Sequence, residues 1–131
     1  MRIIRKEAGF TLIELMVALI VLGILATLAF SIYRNYVDKA KVTIAEHAVI
    51  EARQNLDLYN MDNGKFPDSI DFSTCHDENS RAVFSTTFCN QIKNDLLSIE
   101  YTAENNNYVL KARAKDVKNT LITTNSIKMI K

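Results

Sequence analysis

Side chains that usually carry chemistry are scarce in this chain. Its 131 residues include no tryptophan, one proline, three glycines, two histidines and two cysteines. Three scattered glycines exclude a glycine-rich phosphate loop. His47 has only Glu51 one helical turn away, and Cys75-His76-Asp77 with Cys89 can be drawn as a metal site but matches no zinc spacing. Asp68, Asp71 and Asp77 are scattered loop acids, and no Ser/His/Asp arrangement can be drawn. No catalytic residue, no metal and no cofactor are therefore expected, and the chain does not read as an enzyme. There is also no linker, internal repeat or low-complexity segment. Charge of one sign is lacking too, since the formal net charge is +1. The first nine residues hold Arg2, Arg5, Lys6 and Glu7 and so carry +2, which leaves −1 for the rest. A near-neutral body without a basic run does not indicate nucleic acid as an obligate partner, although a local patch is left open.

What the chain does have is one long apolar run. From Phe10 to Tyr33 there are 24 residues and a single formal charge, Glu14. As a helix this stretch is about 36 Å long, enough to cross a bilayer core. Its basic flank keeps the start of the chain in the cytoplasm and sends the remainder across. A carboxylate inside such a run costs roughly 2.5–3.5 kcal/mol on insertion scales and is usually functional. Ala26-Thr27-Leu28-Ala29 could be read as a secretory cleavage site, but the apolar stretch before it is long for that and contains Glu14. A cut after Gly9 instead leaves the whole apolar helix on the mature chain and frees an amine at Phe10.

The stretch Gly9-Phe10-Thr11-Leu12-Ile13-Glu14, after a short basic leader and before an apolar helix, resembles the prepilin signature of type IV pilins and type II secretion pseudopilins. A second, separate stretch, Leu56 to Pro67 with Asp62-Asn63-Gly64 inside it, is similar to the same family and more narrowly to major pseudopilins. The resemblance implies cleavage between Gly9 and Phe10 by a prepilin peptidase, followed by N-methylation of Phe10. It implies that Glu14 helps recruit the subunit to an inner-membrane assembly platform and meets the Phe10 amine of a neighbouring subunit. Physical chemistry agrees, because a carboxylate in lipid is tolerable when another chain brings a cation to it. Gly23 matches a family position where the helix loosens in some filaments, whereas Ser31 stands where the family often has proline, so no proline kink is expected there.

Beyond the apolar run, Val37, Ala40, Ile44, Ala48, Ala52, Leu56 and Tyr59 form one helical stripe, expected to pack on a globular head. Asp62-Asn63-Gly64 and then Pro67 stop the helix. Cys75 and Cys89 enclose 15 residues counting both ends. The topology places them outside the cytoplasmic membrane, where disulfides persist, so a Cys75–Cys89 disulfide is expected. A short helix is expected near 88–95. Strands follow at Ile99–Ala103 and Tyr108–Ala114, joined by a turn at 104–107. A second hairpin is expected from 121–124 and 127–130 across Asn125-Ser126.

The expected fold is α+β, with a long N-terminal helix packed on a four-stranded antiparallel sheet. Residues 1–9 are the cleaved leader, 10–34 the transmembrane and filament-core half of the helix, and 35–131 the periplasmic head. The function implied is a pilin subunit, major or minor, of a type IV pilus. Such a subunit is single-pass in the inner membrane before assembly and then polymerises with itself or other pilins at the cell surface. Two alternatives stand beside it: the major pseudopilin of a type II secretion system, and a membrane-anchored periplasmic binding module that does not polymerise. No counterpart of the Asp-rich calcium loop of many major pseudopilins is evident in the C-terminal third, and the cysteine pair is more like pilus pilins.

Overall fold

The computed structural model describes residues 9–126, 129 and 130; residues 1–8 of the basic leader and Ile127 and Lys128 of the expected last strand lie outside them. The chain divides into two compact units between Tyr36 and Val37. The first unit is the apolar start of α1, a helix assigned over Leu12–Asn63.

The second unit holds the remainder of α1, two short helices and an antiparallel sheet. Helix α1 ends where Asn63 is followed by Gly64, whose φ of 72° places it in the left-handed region and whose N–H donates to the Asn60 carbonyl at 2.8 Å. Glycine takes that conformation without a Cβ clash, which is why the sequence stop works. Helices α2 (Glu78–Val83) and α3 (Thr86–Asp95) follow, capped by Asp77 and Ser85. Helix α3 covers the expected 88–95 segment, while α2 has no counterpart in the sequence reading. Lys115 Nζ donates to the Lys93 and Asn94 carbonyls, placing a cation on the negative end of α3.

The sheet is a meander of β1 (Leu96–Glu104), β2 (Asn107–Ala114) and β3 (Leu121–Asn125). The expectation of four strands is corrected to three of substantial length. The fourth, β4, is a two-residue pairing of Met129–Ile130 against β3. Asn105 and Asn106 both take positive φ (46° and 59°), the conformation that a two-residue hairpin turn requires. A bulge between Leu96 and Ser98 turns two successive residues outward, leaving Leu97 exposed before alternation resumes at Ile99.

Ala45, Ala48, Val49, Ala52 and Leu56 of α1 join Tyr108, Leu110, Ala112, Ala114 and Ile122 of the sheet in one buried cluster. The expected stripe holds at Ala48, Ala52 and Leu56, but Ala40 and Ile44 are exposed and Ala45 and Val49 replace them. Steps of four residues drift about 40° each around a 3.6-residue helix, so a run of them cannot stay on one face. Phe72, Phe84 and Phe88 form a second aromatic stack, with ring centroids 5.3 and 5.1 Å apart, near the disulfide.

Two tyrosines and three carboxylates set how this core responds to pH. Burial above all, with the charges of Asp68 and Tyr59 adding to it, pushes Tyr101 up to about 12. Burial, followed by the Asp57 charge, also pushes Tyr108 well above its ordinary 10.0. Groups raised on folding add stability that is complete below about pH 10 and is lost as pH rises through their folded values. Hydrogen bonds hold Asp71 (from Ser73, then Thr74), Asp77 (from Ser80) and Asp116 (from Thr120) below the usual carboxylate range. Their contribution is complete above their ordinary 3.8 and is lost as pH falls below it. Stability should therefore be flat between about pH 4 and 10 and fall outside it.

The two tyrosines separate by mutation. The Tyr101 hydroxyl donates to the Pro67 carbonyl at 2.6 Å, whereas the Tyr108 hydroxyl is buried without a hydrogen-bond partner among the described residues. Tyr101→Phe should cost about 1 kcal/mol, and Tyr108→Phe should gain about 1–3 kcal/mol by removing an unsatisfied group. Denaturant melts of the two variants test this; equal destabilisation by both would mean that the Tyr108 hydroxyl is bonded in solution.

Candidate functional site

The start of α1 concentrates the features singled out in the sequence. Thr11 precedes the first helical residue, and its carbonyl accepts from the Leu15 N–H at 3.3 Å. The Glu14 carboxylate reaches back to accept from the Thr11 N–H at 2.9 Å and from the Thr11 hydroxyl at 2.8 Å. The Thr11 hydroxyl oxygen in turn accepts from the Glu14 N–H at 3.3 Å. This is a reciprocal capping box, which satisfies donors that a helix start leaves open. The negative side chain also sits at the positive end of the helix dipole. The signal was present in the sequence as Thr11-Leu12-Ile13-Glu14, a threonine followed three residues later by glutamate. The sequence reading singled out Glu14 but missed Thr11 as its partner.

Glu14 therefore has neighbours within its own chain, and its carboxylate does not stand bare in the apolar run. Phe10, one residue before the cap, is 87% exposed, and Gly9 is exposed beside it. Every large apolar side chain from Phe10 to Tyr36 is at least half exposed. An 18-residue window of α1 reaches a mean hydropathy of 2.7, so this helix is long and apolar enough to cross a membrane. A Cβ added at Gly23 would meet nothing within 4 Å, so no contact among the described residues requires glycine there. An apolar surface of this extent has to be covered by lipid or by other chains.

The other residues singled out do not gather at this site. Cys75 and Cys89 are disulfide-bonded to each other in the second unit, 14 positions apart. The loop before Cys75 is held by Ser80, whose buried hydroxyl accepts from the Asp71 N–H at 2.9 Å and donates to the Asp71 carbonyl at 3.4 Å. Asp71 accepts from Ser73 and Thr74, and Asp77 caps α2, so these loop acids are engaged in local turns. Among the described residues there is no group of three or more His, Cys, Asp or Glu placed to hold a metal.

The family described as "Prokaryotic N-terminal methylation motif" matches residues 4–30, the stretch that includes the capped helix start. The chain is 31% identical over 124 residues to the type IV major alpha-pilin of Moraxella bovis, covering 89% of this chain and 77% of that one. It is 43% identical over 63 residues to the type II secretion system core protein G of Pseudomonas aeruginosa. The Escherichia coli protein of the same name is 34% identical over 67 residues. These two matches take in about half of this chain, 48% and 51%, and less than half of those proteins, 44% and 46%. No solved structure gives a significant match. The match to the methylation motif falls on the helix start that Thr11 and Glu14 cap, and the pilin likeness runs through most of the head as well: the chain belongs to the family of type IV pilins and type II secretion pseudopilins.

Proposed function

We propose that the chain is a pilin subunit of a type IV pilus, polymerising through its apolar N-terminal helix. The observation that carries this reading over the others is the extent of the likeness to a type IV major alpha-pilin, 89% of the chain and so most of the head. On this reading residues 1–9 are a leader removed by a prepilin peptidase between Gly9 and Phe10. Residues 10–34 cross the inner membrane and later line the filament core, and 35–131 form the periplasmic head. Phe10 is N-methylated, and the assembly platform receives the subunit through Glu14. In the filament, the Glu14 carboxylate turns to the Phe10 amine of a neighbouring copy. An ion pair screened from water has a larger electrostatic energy than one in solvent, and each charge then satisfies the other.

A second reading is favoured by a different observation. Over a matched stretch of 63 residues the chain is 43% identical to the type II secretion system core protein G of Pseudomonas aeruginosa, above the 31% that holds across the longer match to the pilin. The two readings part on a deletion strain: loss of surface fibres with intact exoprotein secretion supports the pilus, and the reverse supports the secretion system.

Intact mass and N-terminal sequence of protein sheared from cells test the processing that both readings share. The expected chain begins at Phe10, carries one added methyl group and is two hydrogens short of its reduced form. A chain beginning at Met1, or one cut after Ala29, would contradict the filament reading and leave an anchored or secreted periplasmic domain.

A further inference from the structure

Asn63 is the one asparagine in the chain that is followed by glycine. Such a pair is chemically reactive, because the glycine nitrogen can attack the asparagine Cγ and no Cβ on the glycine obstructs the approach. A new N–C bond closes a five-membered succinimide, and the side-chain nitrogen leaves as ammonia. Water then opens the ring. Opening at one carbonyl gives aspartate; opening at the other gives isoaspartate, whose main chain runs through the former side chain and gains one carbon. In this protein both reacting groups are tied to the turn before them. The Gly64 N–H donates to the Asn60 carbonyl at 2.8 Å, and the Asn63 side-chain Nδ2 donates to the Tyr59 carbonyl at 3.0 Å. Neither residue is buried, so these hydrogen bonds, and not exclusion of water, keep the site closed.

We propose that Asn63-Gly64 is a self-modification site gated by the last turn of α1: when that turn frays, Asn63 converts to aspartate or isoaspartate. Helix ends open at far lower cost than a core does, and the exposed hydrogen bonds that close this one contribute little each. Loss of ammonia makes the conversion one-way. The product acts on the fold in two ways. A carboxylate at position 63 joins Asp62 at the negative end of the helix, where the last turn holds no basic residue. It adds a negative charge to the −1 carried by residues 10–131. Isoaspartate also lengthens the chain just before Phe66 and Pro67, both buried. Phe66 packs edge-on against Tyr108 with ring centroids 4.8 Å apart, and the Pro67 carbonyl accepts from Tyr101. A change at an exposed turn therefore reaches the core. A subunit acquires in this way a one-way mark of its age, whichever filament it builds.

The test is a time course of the purified full chain at mildly alkaline pH, folded in detergent and unfolded in denaturant. The tryptic peptide from Gln54 to Lys65 is followed for the mass difference between ammonia and water, and isoaspartate is read by enzymatic methylation. Conversion should be about tenfold or more slower in the folded chain than in the unfolded one. Met61→Gly, at an exposed position of the last turn, should speed the folded chain about fivefold and leave the unfolded chain unchanged, since glycine lowers helix propensity by about 1 kcal/mol. Cys75→Ser with Cys89→Ser should leave the folded rate unchanged, because the gate is local, whereas opening of the whole head would become about a hundredfold more frequent. Where Met61→Gly does not accumulate, hydrogen exchange in the unmodified chain replaces it, and the Gly64 amide should exchange faster than that of buried Leu56. Equal rates in the folded and unfolded chains would mean that the turn is no gate. No conversion in the folded chain, a folded rate that rises with loss of the disulfide, or a Gly64 amide as slow as that of Leu56 would each overturn the proposal as well.

Discussion

Glu14→Ala is expected to remove sheared filaments while leaving the subunit in the inner membrane. The substitution lowers the cost of inserting the apolar run, by roughly 2.5–3.5 kcal/mol on insertion scales, so anchoring does not suffer. It deletes the acceptor of both Thr11 hydrogen bonds and, on the proposed reading, the charge that meets the Phe10 amine of the next subunit. A hydrogen bond to a charged group contributes about 1.5–3 kcal/mol, and a polymer repeats that loss at every subunit. Glu14→Gln separates the two roles, because an amide can still accept from Thr11 but carries no charge. Thr11→Val removes the hydroxyl donor and keeps the charge. The ion-pair reading predicts that Gln fails nearly as badly as Ala and that Val assembles in reduced amount. Filaments formed by Glu14→Gln at the normal level would leave Glu14 as a helix cap only. Immunoblots of sheared and membrane fractions measure all three.

Removing the disulfide by Cys75→Ser with Cys89→Ser is expected to destabilise the head by about 3 kcal/mol in the chain-entropy model. The bond closes a loop whose ends are 14 positions apart, and opening it returns conformational freedom mainly to the unfolded chain. For a head of this size the melting temperature should fall by roughly 10–25 °C. The native loop should survive below that temperature, since the Ser80 hydroxyl still holds both backbone groups of Asp71 and the Cys75 N–H still donates to the Asp71 carbonyl at 2.9 Å. The left-handed φ of 52° at Cys75 is retained by serine, so the strain there does not change sides in the comparison. A double variant melting within a few degrees of the oxidised chain would show that the unfolded head is already restricted without the bond.

The parts of this protein legible in its sequence are those governed by short-range rules. The Phe10–Tyr33 run announces a helix through hydropathy alone, and Asn63-Gly64 announces its stop through one left-handed position. The hairpin at Asn105-Asn106 follows from alternating strands around residues that tolerate positive φ. Other elements were harder. Helix α2 is six residues long, too short for any period to show, and it is held by the Asp77 cap and by its own buried Ser80. The inner face of α1 was misjudged at Ala40 and Ile44, because several alanines and branched residues allow more than one stripe.

Acting by itself, the sequence determined the capped, apolar helix start and hence the membership in a filament-forming family. Those properties reside in consecutive residues: Thr11 and Glu14 lie one turn apart, and hydropathy sums along the chain. Only the tertiary structure decided which face of α1 meets the sheet, which tyrosine hydroxyl finds an acceptor 34 positions away, and that three strands with a two-residue fourth complete the layer. Those outcomes depend on side chains distant in sequence competing for one packed volume, and close packing admits a single solution that local propensity does not specify.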